Sequence, residues 1–464
     1  MPARVAIVGG GVSGLVAAYR LRRALGEDAT IDLYEQRERL GGVLHTVDVA
    51  GQATDVGAEA FIVRRPEAVA LVDELGLADR VVSPTPRRPA IWAGGRLHAM
   101  PAPALMGIPA TAEVMAGLAD PADLARIAAE PDRALAWRPG DDVAVGDLVA
   151  DRFGASVVAR SVDPMLGGVY SSLAADIGVR EAIPALAARL DAGAPSLSAA
   201  VGGLLTPVGT GGPVFGTLVG GYRVLVDALT AAARPALCTD RQVVAVHADG
   251  DRWRVGTESG TDTVYDGLVL AVPAWIAARL LAGIGDEFVA TLAAVEPTSS
   301  VVVSIALTPG TALPDHSGVL VATGEDLRPK AFTLSSQKWA HVGGDGAPVS
   351  VRASFGRYGD PVADPADDPG IDESLRSWAL TDLDRICADA GVAAPSAHVL
   401  EARVQRWDGG LPRYAPGHLA RMAEVLAALP PRLALAGSSY AGVGVPACIA
   451  TAGRAAEVIL AALG

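Results

Sequence analysis

The sequence predicts an α/β fold: a discontinuous Rossmann-like nucleotide domain, a mixed-sheet second domain and an inserted helical domain. Three observations carry this. The chain opens with a strand, a glycine turn and a helix. Strands then give way to a long alanine- and proline-rich stretch before they return. A last short strand near the C-terminus runs into a second glycine loop and a helix.

Val5-Ala6-Ile7-Val8 is an apolar run of strand length, and Gly9-Gly10-Gly11-Val12-Ser13-Gly14 follows at once. Leu15 to Leu21 then reads as a helix. Strand, tight glycine turn and helix are the parts of a dinucleotide site. Gly9 permits the turn, Gly11 lets a pyrophosphate approach the backbone, and Gly14 allows close helix packing. The helix N-terminus offers unpaired N–H groups and partial positive charge to phosphate. The next strand, Ile31 to Glu35, ends in an acid, and 35 − 14 places it 21 residues past the last glycine. A carboxylate there accepts both ribose hydroxyls of an adenosine and disfavours a 2′-phosphate, which argues against NADP.

A chain of 464 residues is long enough for two or three domains. Apolar residues make up 50 % and mean hydropathy is +0.33. Alanine supplies part of that, and an apolar pocket or membrane-facing patch would supply the rest. Lys+Arg is 38 against 52 Asp+Glu, a net charge of −14. This argues against a nucleic-acid partner and a broadly basic membrane surface. Lysine occurs only at Lys330 and Lys338, and the excess of alanine and arginine fits a GC-rich bacterial genome. Cys238, Cys387 and Cys448 are too scattered for a disulfide framework or a metal spacing, so a reducing cytoplasm is the simplest setting. The histidines show no HxxxH or HExxH spacing, and no metal is expected. No signal peptide is expected ahead of the first strand, and no apolar run reaches about 18 uninterrupted residues, so no bilayer-spanning helix is expected.

Further along, Pro66 to Leu75 is a helix with proline in its first turn and Gly76 at its stop. Between about residues 95 and 205 helix-like segments with many prolines replace strands. Strands return at Val243 to Val246 and Trp253 to Val255, joined by a turn at Asp249-Gly250. The stretch from Gly267 to Ile284 reads as strand, turn at Pro273 and helix. Alternating Val301-Val303-Ile305 and Val349-Val351-Ala353-Phe355 predict a second, largely antiparallel sheet. Asp360 to Pro369 is a polar loop. The last strand is Leu433 to Ala436, and a helix begins near Pro446. Gly442-Val443-Gly444-Val445-Pro446 would aim backbone N–H groups at an anion, and a reduced flavin carries one at N1 and the C2 carbonyl. Paired with the N-terminal turn, this loop points to a flavin dinucleotide.

On these residues the chain resembles the protoporphyrinogen/coproporphyrinogen oxidase family, FAD enzymes of haem biosynthesis within the amine-oxidase-like flavoproteins. The resemblance runs nearly end to end. It rests on Arg39-Leu40-Gly41-Gly42, on the run from Asp55 to Phe61, on Gly94 to Pro101 and on Asp163 to Tyr170 ("DPMLGGVY"). It continues through Phe215 to Tyr222, Lys338-Trp339, Arg406-Trp407 with Leu411 to Tyr414 ("RW…LPRY…GH"), and Gly442 to Cys448. The "DPMLGGVY" and "RW…LPRY…GH" stretches are the more specific.

The resemblance implies a Rossmann-like FAD domain in three pieces (1–90, 206–272 and 404–464). It also implies an inserted helical domain, membrane-facing in some members, at 91–205 and a mixed-sheet substrate domain at 273–403. It implies non-covalent FAD at Gly9, Gly10, Gly11, Val12, Ser13, Gly14, Glu35, Gln36, Gly42, Val43, Gly57, Ala58, Glu59, Ala60, the backbone of Val243, Trp407, Gly437, Val443, Gly444 and Val445. Many relatives carry a basic or aromatic side chain where this chain has Val43, so a backbone contact is expected there.

The implied reaction converts a porphyrinogen to a porphyrin by removing six hydrogens in three two-electron steps, with hydride passing from a meso carbon to flavin N5 and O2 giving H2O2. Such chemistry needs orientation rather than a strong protein base, and no side chain is expected as general acid or base. The Gly168 carbonyl is implied to face the macrocycle and Leu320 to pack on a ring face. Arginine forks suit the propionates. Arg64, Arg65 and Arg96 are the candidates, with Lys330 a weaker one. Vertebrate-type relatives carry an arginine where this chain has Leu105. Coproporphyrinogen III has four propionates and protoporphyrinogen IX two, and the bacterial composition favours the former as substrate and coproporphyrin III as product. Protoporphyrinogen IX oxidation is the alternative, and a flavin amine oxidase or carotenoid desaturase a more remote one. Covalent amine oxidases use a Ser-Gly-Gly-Cys context, whereas Cys448 sits in Val-Pro-Ala-Cys. A non-catalytic escort without flavin is disfavoured by the intact C-terminal loop. Expected partners are the tetrapyrrole and O2, with at most peripheral membrane contact and a transient contact with the next haem-pathway enzyme.

Overall fold

A computed structural model describes residues 2–205, 212–344 and 346–464. Five parallel strands form a sheet in the order Ala236–Cys238, Thr30–Tyr34, Arg4–Val8, Gly267–Leu270 and Leu433–Leu435. Three distant stretches of chain therefore build one sheet. The helix Val12–Leu25 packs on it together with the C-terminal helix Val445–Leu463, in one continuous apolar core. That C-terminal helix is long and apolar enough to cross a membrane, but half of its apolar window is buried in the protein. Its apolar face is spent on the core.

The second sheet has seven strands in the order 399–412, 297–307, 349–355, 331–333, 318–321, 90–93 and 96–99. All neighbours are antiparallel except Gly318–Val321 and Ala90–Ala93, so the sheet is mixed. Alternation sorts its two faces. Val301, Val303, Ile305 and their partners Phe355, Ala353 and Val351 pack under the helix Ile371–Asp389. Val302, Ser304, Arg352 and Ser354 share the opposite face, toward the nucleotide domain. Two boundaries differ from the sequence reading. Residues 91–99 belong to this sheet rather than to the helical insertion, because Ile91 and Trp92 pair beside Leu320 and Val321. The strand Val399–Pro412 runs through residue 404 without a break, so the sheet includes the Arg406-Trp407 pair. The piece expected to begin at residue 206 opens on residues outside the described set.

The intervening region is helical around its own apolar core. Its helix Asp163–Tyr170 follows a π turn over Val158–Val162. Pro164 has no N–H to donate one turn back, which favours a widened turn there. Thr323 N–H donates to Ala159 O (2.9 Å), and Thr323 Oγ1 donates to Asp163 Oδ2 (2.8 Å). These bonds fasten the start of the helix to the end of strand Gly318–Val321.

Candidate active site

The N-terminal turn is built as the glycines require. Gly9 lies at φ +106°, and its N–H donates to Tyr34 O (2.8 Å). A Cβ on Gly14 would stand 1.9 Å from Gly9 O, so only glycine lets the helix come this close. A Cβ on Gly11 would meet nothing nearer than Gly42 Cα at 3.9 Å. Gly11 thus presents an open backbone face at the N-terminus of the helix Val12–Leu25, whose first N–H groups have no partner within the helix. Glu35 stands beside the turn. One carboxylate oxygen accepts from Gly10 N–H (2.8 Å) and the other from Arg37 N–H (3.0 Å), leaving lone pairs for ribose hydroxyls. Gln36 is exposed. Arg241 N–H donates to Glu35 O (2.9 Å), which sets the strand beginning at Val243 next to this end of the site.

The second glycine loop arrives at the same place. Gly442 and Gly444 have φ of +119° and +94°, and the C-terminal helix starts at Val445. Ser13 Oγ donates to Cys448 O (3.4 Å), so the first turns of the two helices lie side by side. Gly437 turns the chain at φ +136°, with its N–H on Thr451 Oγ1 (3.0 Å). Cys448 is buried, and burial pushes its thiol up to about 11. A neutral, buried thiol is not set up for covalent attachment.

The "RW…LPRY…GH" stretch gains a physical reason: its side chains brace the loops of the site. Trp407 Nε1 donates to Val56 O (2.9 Å), and its ring backs Gly57, where an added Cβ would lie 2.9 Å from the indole. Tyr414 is fully buried; its hydroxyl donates to Ser438 O (2.6 Å) and accepts from Gly442 N–H (2.7 Å). The His418 ring nitrogen Nε2 bonds Ser439 O (2.7 Å), and burial pushes the imidazole down to about 4, so it stands neutral. Ala58 N–H donates to Val43 O (3.1 Å), which joins the double-glycine segment to the Gly57–Ala60 loop.

The Glu59 side chain is taken up by cations of the second domain. Its carboxylate accepts from Lys338 Nζ (2.7 Å) and Ser335 Oγ (2.7 Å), with Arg352 at 3.7 Å. Burial would raise this carboxyl, but the two cations outweigh it and hold it at about 2. Arg352 also donates to Gly57 O (2.5 Å). Lys338 and Arg352 thus clamp the Gly57–Ala60 loop to the second sheet. Asp55, beside it, is pushed up to about 6 by burial, against hydrogen bonds from Thr46 Oγ1 and Tyr222 N–H. A cavity of about 180 Å³ lined by Asp55, Glu59, Trp339, His341 and Arg352 lies against this cluster.

Gly168 and Leu320, far apart in sequence, meet. A Cβ on Gly168 would lie 3.8 Å from Leu320 Cδ2 and touch nothing else, so Gly168 opens onto free space. It lies in the last turn of the helix Asp163–Tyr170, where carbonyls lack helical partners, so its C=O is available as an acceptor. Leu320 is half-buried on the face of the sheet turned to that helix. The arginines do not converge on this pair through any bond they make. Arg64 donates to Gly212 O (2.9 Å), Arg65 pairs with Glu67 (2.9 Å), and Arg96 is exposed at a hairpin tip. Leu105 sits in a short hairpin with Ile108.

Sequence reasoning missed the clamp by Lys338 and Arg352, and it did not foresee that Lys330 is buried. A signal was present. The chain has only two lysines, and one stands in the apolar context Pro-Lys-Ala-Phe.

The residues fit FAD. An open glycine backbone, a carboxylate at the end of the second strand and two adjacent helix N-termini are what a pyrophosphate, an adenosine and an anionic ring edge each require. The comparisons with known proteins agree. The family model described as flavin containing amine oxidoreductase matches residues 12–460. A coproporphyrinogen III oxidase of Mycobacterium tuberculosis is 49 % identical over 462 residues, covering 100 % of this chain and 98 % of its own. One from Mycobacterium leprae is 48 % identical, covering 98 % of each chain. A provisionally named protoporphyrinogen oxidase of Exiguobacterium sp. 255-15, solved by crystallography, superposes with a TM-score of 0.86 at 28 % identity, covering 99 % of each chain. The chain belongs to the flavin containing amine oxidoreductase family and, within it, to the family of the coproporphyrinogen III oxidases.

Proposed function

We propose that this protein oxidises coproporphyrinogen III to coproporphyrin III, with O2 as acceptor and H2O2 as by-product. The observation that carries the reading is the meeting of Gly168 and Leu320, with Tyr170 of the same helix packed on Tyr414, whose hydroxyl accepts from Gly442 N–H of the second glycine loop. Six hydrogens leave the substrate and three O2 become three H2O2, so the electrons balance. FAD, when bound, supplies the hydride acceptor and returns the electrons to oxygen.

The chain's own residues orient and shield. Gly9 to Gly14, Glu35 and the helix start at Val445 hold the dinucleotide. Trp407 and Tyr414 keep the two cofactor loops in register. Gly168 accepts a pyrrole N–H through its carbonyl, and Leu320 packs on the ring face. No side chain at the Gly168–Leu320 pair is needed as a base, because loss of hydride leaves a cation that the electron-rich pyrroles stabilise. The three cysteines are free, which supports a reducing, cytoplasmic setting. Ile62 and Phe215, exposed neighbours across an antiparallel pair, offer an apolar contact for peripheral membrane association or for the next pathway enzyme.

Parallel kinetics test the substrate. Coproporphyrinogen III and protoporphyrinogen IX are offered at matched concentration, with porphyrin fluorescence as readout. The expected result is a kcat/KM at least about tenfold higher for coproporphyrinogen III, the effect of one additional charged contact. Equal values would favour a general porphyrinogen oxidase, and preference for protoporphyrinogen IX would overturn the reading.

A further inference from the structure

Lys330 is 7 % exposed, yet no acid compensates its ammonium. Its Nζ donates to Ser171 Oγ (2.7 Å) and Gly356 O (2.5 Å), and the third N–H has no partner among the described residues. Burial, with Arg357 nearby, pushes Lys330 down to about 7. The Arg357 guanidinium is itself held down by burial, and Asp163 and Asp360 are the acids that offset it. Asp163 is already committed: its oxygens accept from Ala174 N–H (2.8 Å) and Thr323 Oγ1 (2.8 Å). Among the described residues neither cation is in an ion pair. Two desolvated cations without a paired anion are costly, and a carboxylate accepting from both would relieve that cost.

Their position gives the carboxylate a source. Ser171 closes the helix that carries Gly168, and Tyr358 N–H donates to Ser171 O (2.8 Å), which lays the Gly356–Tyr358 strap on that helix end. Leu320 pairs across the sheet with Ala331, the neighbour of Lys330. The cations thus stand at one end of the Gly168–Leu320 pair.

We propose that Lys330 and Arg357 form a carboxylate subsite that holds one propionate of the tetrapyrrole. This rests on the functional reading above. Lys330 is then a specificity-determining residue for the substrate. The competing role is structural, since a cation at the C-terminal end of a helix is favourable by itself.

Holoenzyme with Lys330→Met and Lys330→Arg separates the two roles. The Kd for coproporphyrin III is read by fluorescence, alongside KM and kcat for coproporphyrinogen III, FAD content and Tm. Lys330→Met is expected to raise Kd and KM about tenfold or more, the scale of one lost charged hydrogen bond, with kcat kept within about twofold. Tm should stay within a few degrees of native, because relief of the buried charge offsets the lost bonds to Ser171 Oγ and Gly356 O. Lys330→Arg should recover most of the affinity. Native affinity for coproporphyrin III in Lys330→Met would overturn the proposal. So would a fall in Tm or FAD content with Kd unchanged, because Lys330 would then be a helix brace. If the native protein binds coproporphyrin III through Lys330 but does not oxidise coproporphyrinogen III, the activity falls and the subsite stands. If it does not bind coproporphyrin III at all, both fall.

Discussion

Gly168→Val is expected to give yellow, FAD-loaded protein that oxidises coproporphyrinogen III at under about one hundredth of the native rate, the penalty typical of a substrate displaced by about 1 Å. The fold should tolerate the change. Gly168 is not among the glycines with positive φ, and its Cβ would make one ordinary contact, with Leu320 Cδ2 at 3.8 Å. Valine is also a better helix former than glycine. The branched side chain would instead occupy the open space before the carbonyl and hold a pyrrole off it. Measured together, visible absorbance and Tm should match the native protein while turnover collapses. Native turnover and KM in this variant would mean that the tetrapyrrole lies elsewhere.

Gly14→Ala is expected to have the opposite signature, a fold weakened at its first turn and an FAD affinity reduced by roughly ten- to a hundredfold, since overpacking of this kind costs about 1–3 kcal/mol. The added carbon would stand 1.9 Å from Gly9 O, a backbone atom. Gly9 cannot retreat freely, because a Cβ placed on it would already lie 2.3 Å from Ala271 O. The turn must open, and the N–H groups that address the pyrophosphate move with it. Gly453→Ala is the control. Gly453 lies inside the C-terminal helix with nothing within 4 Å of its Cβ position, so alanine there should keep FAD and hold or raise Tm. FAD content by absorbance and titration of apoprotein with FAD distinguish the cases. Native FAD affinity in Gly14→Ala would contradict the assignment of this turn.

What could be seen in the sequence follows from how local each determinant is. The run from Val5 to Glu35 was legible because strand, turn, helix and acid are consecutive, and each residue type has one conformational reason to be there. The strands Val301–Ile305 and Val349–Phe355 were legible from alternation; that they pair with each other is seen only in the fold. The edge strand Ala236–Cys238 was not. It has three residues, and its Ala236 and Leu237 are exposed, so it leaves no apolar signature. Residues 91–99 were grouped with the helical insertion because their short hairpin gains its identity only by pairing with Gly318–Val321. Candidate site residues divide the same way. The glycines and Glu35 speak for themselves, whereas Gly168 and Leu320 came only from family resemblance, because nothing local distinguishes them. The paired fates of Glu59, Lys338 and Arg352 were invisible, since burial and partners belong to the tertiary fold. The arginines at 64, 65 and 96 were selected for charge, but Lys330 and Arg357 are the cations that the fold desolvates.

In the function we propose, both ends of the chain assemble one FAD site whose open side receives a porphyrinogen. Anaerobic titration of the holoenzyme with coproporphyrinogen III tests it most directly. Each substrate yields three electron pairs and each FAD takes one, so one third of an equivalent should bleach the yellow absorbance fully and release one third of an equivalent of coproporphyrin III. Persistent yellow colour under excess coproporphyrinogen III, with no porphyrin fluorescence, would contradict the account.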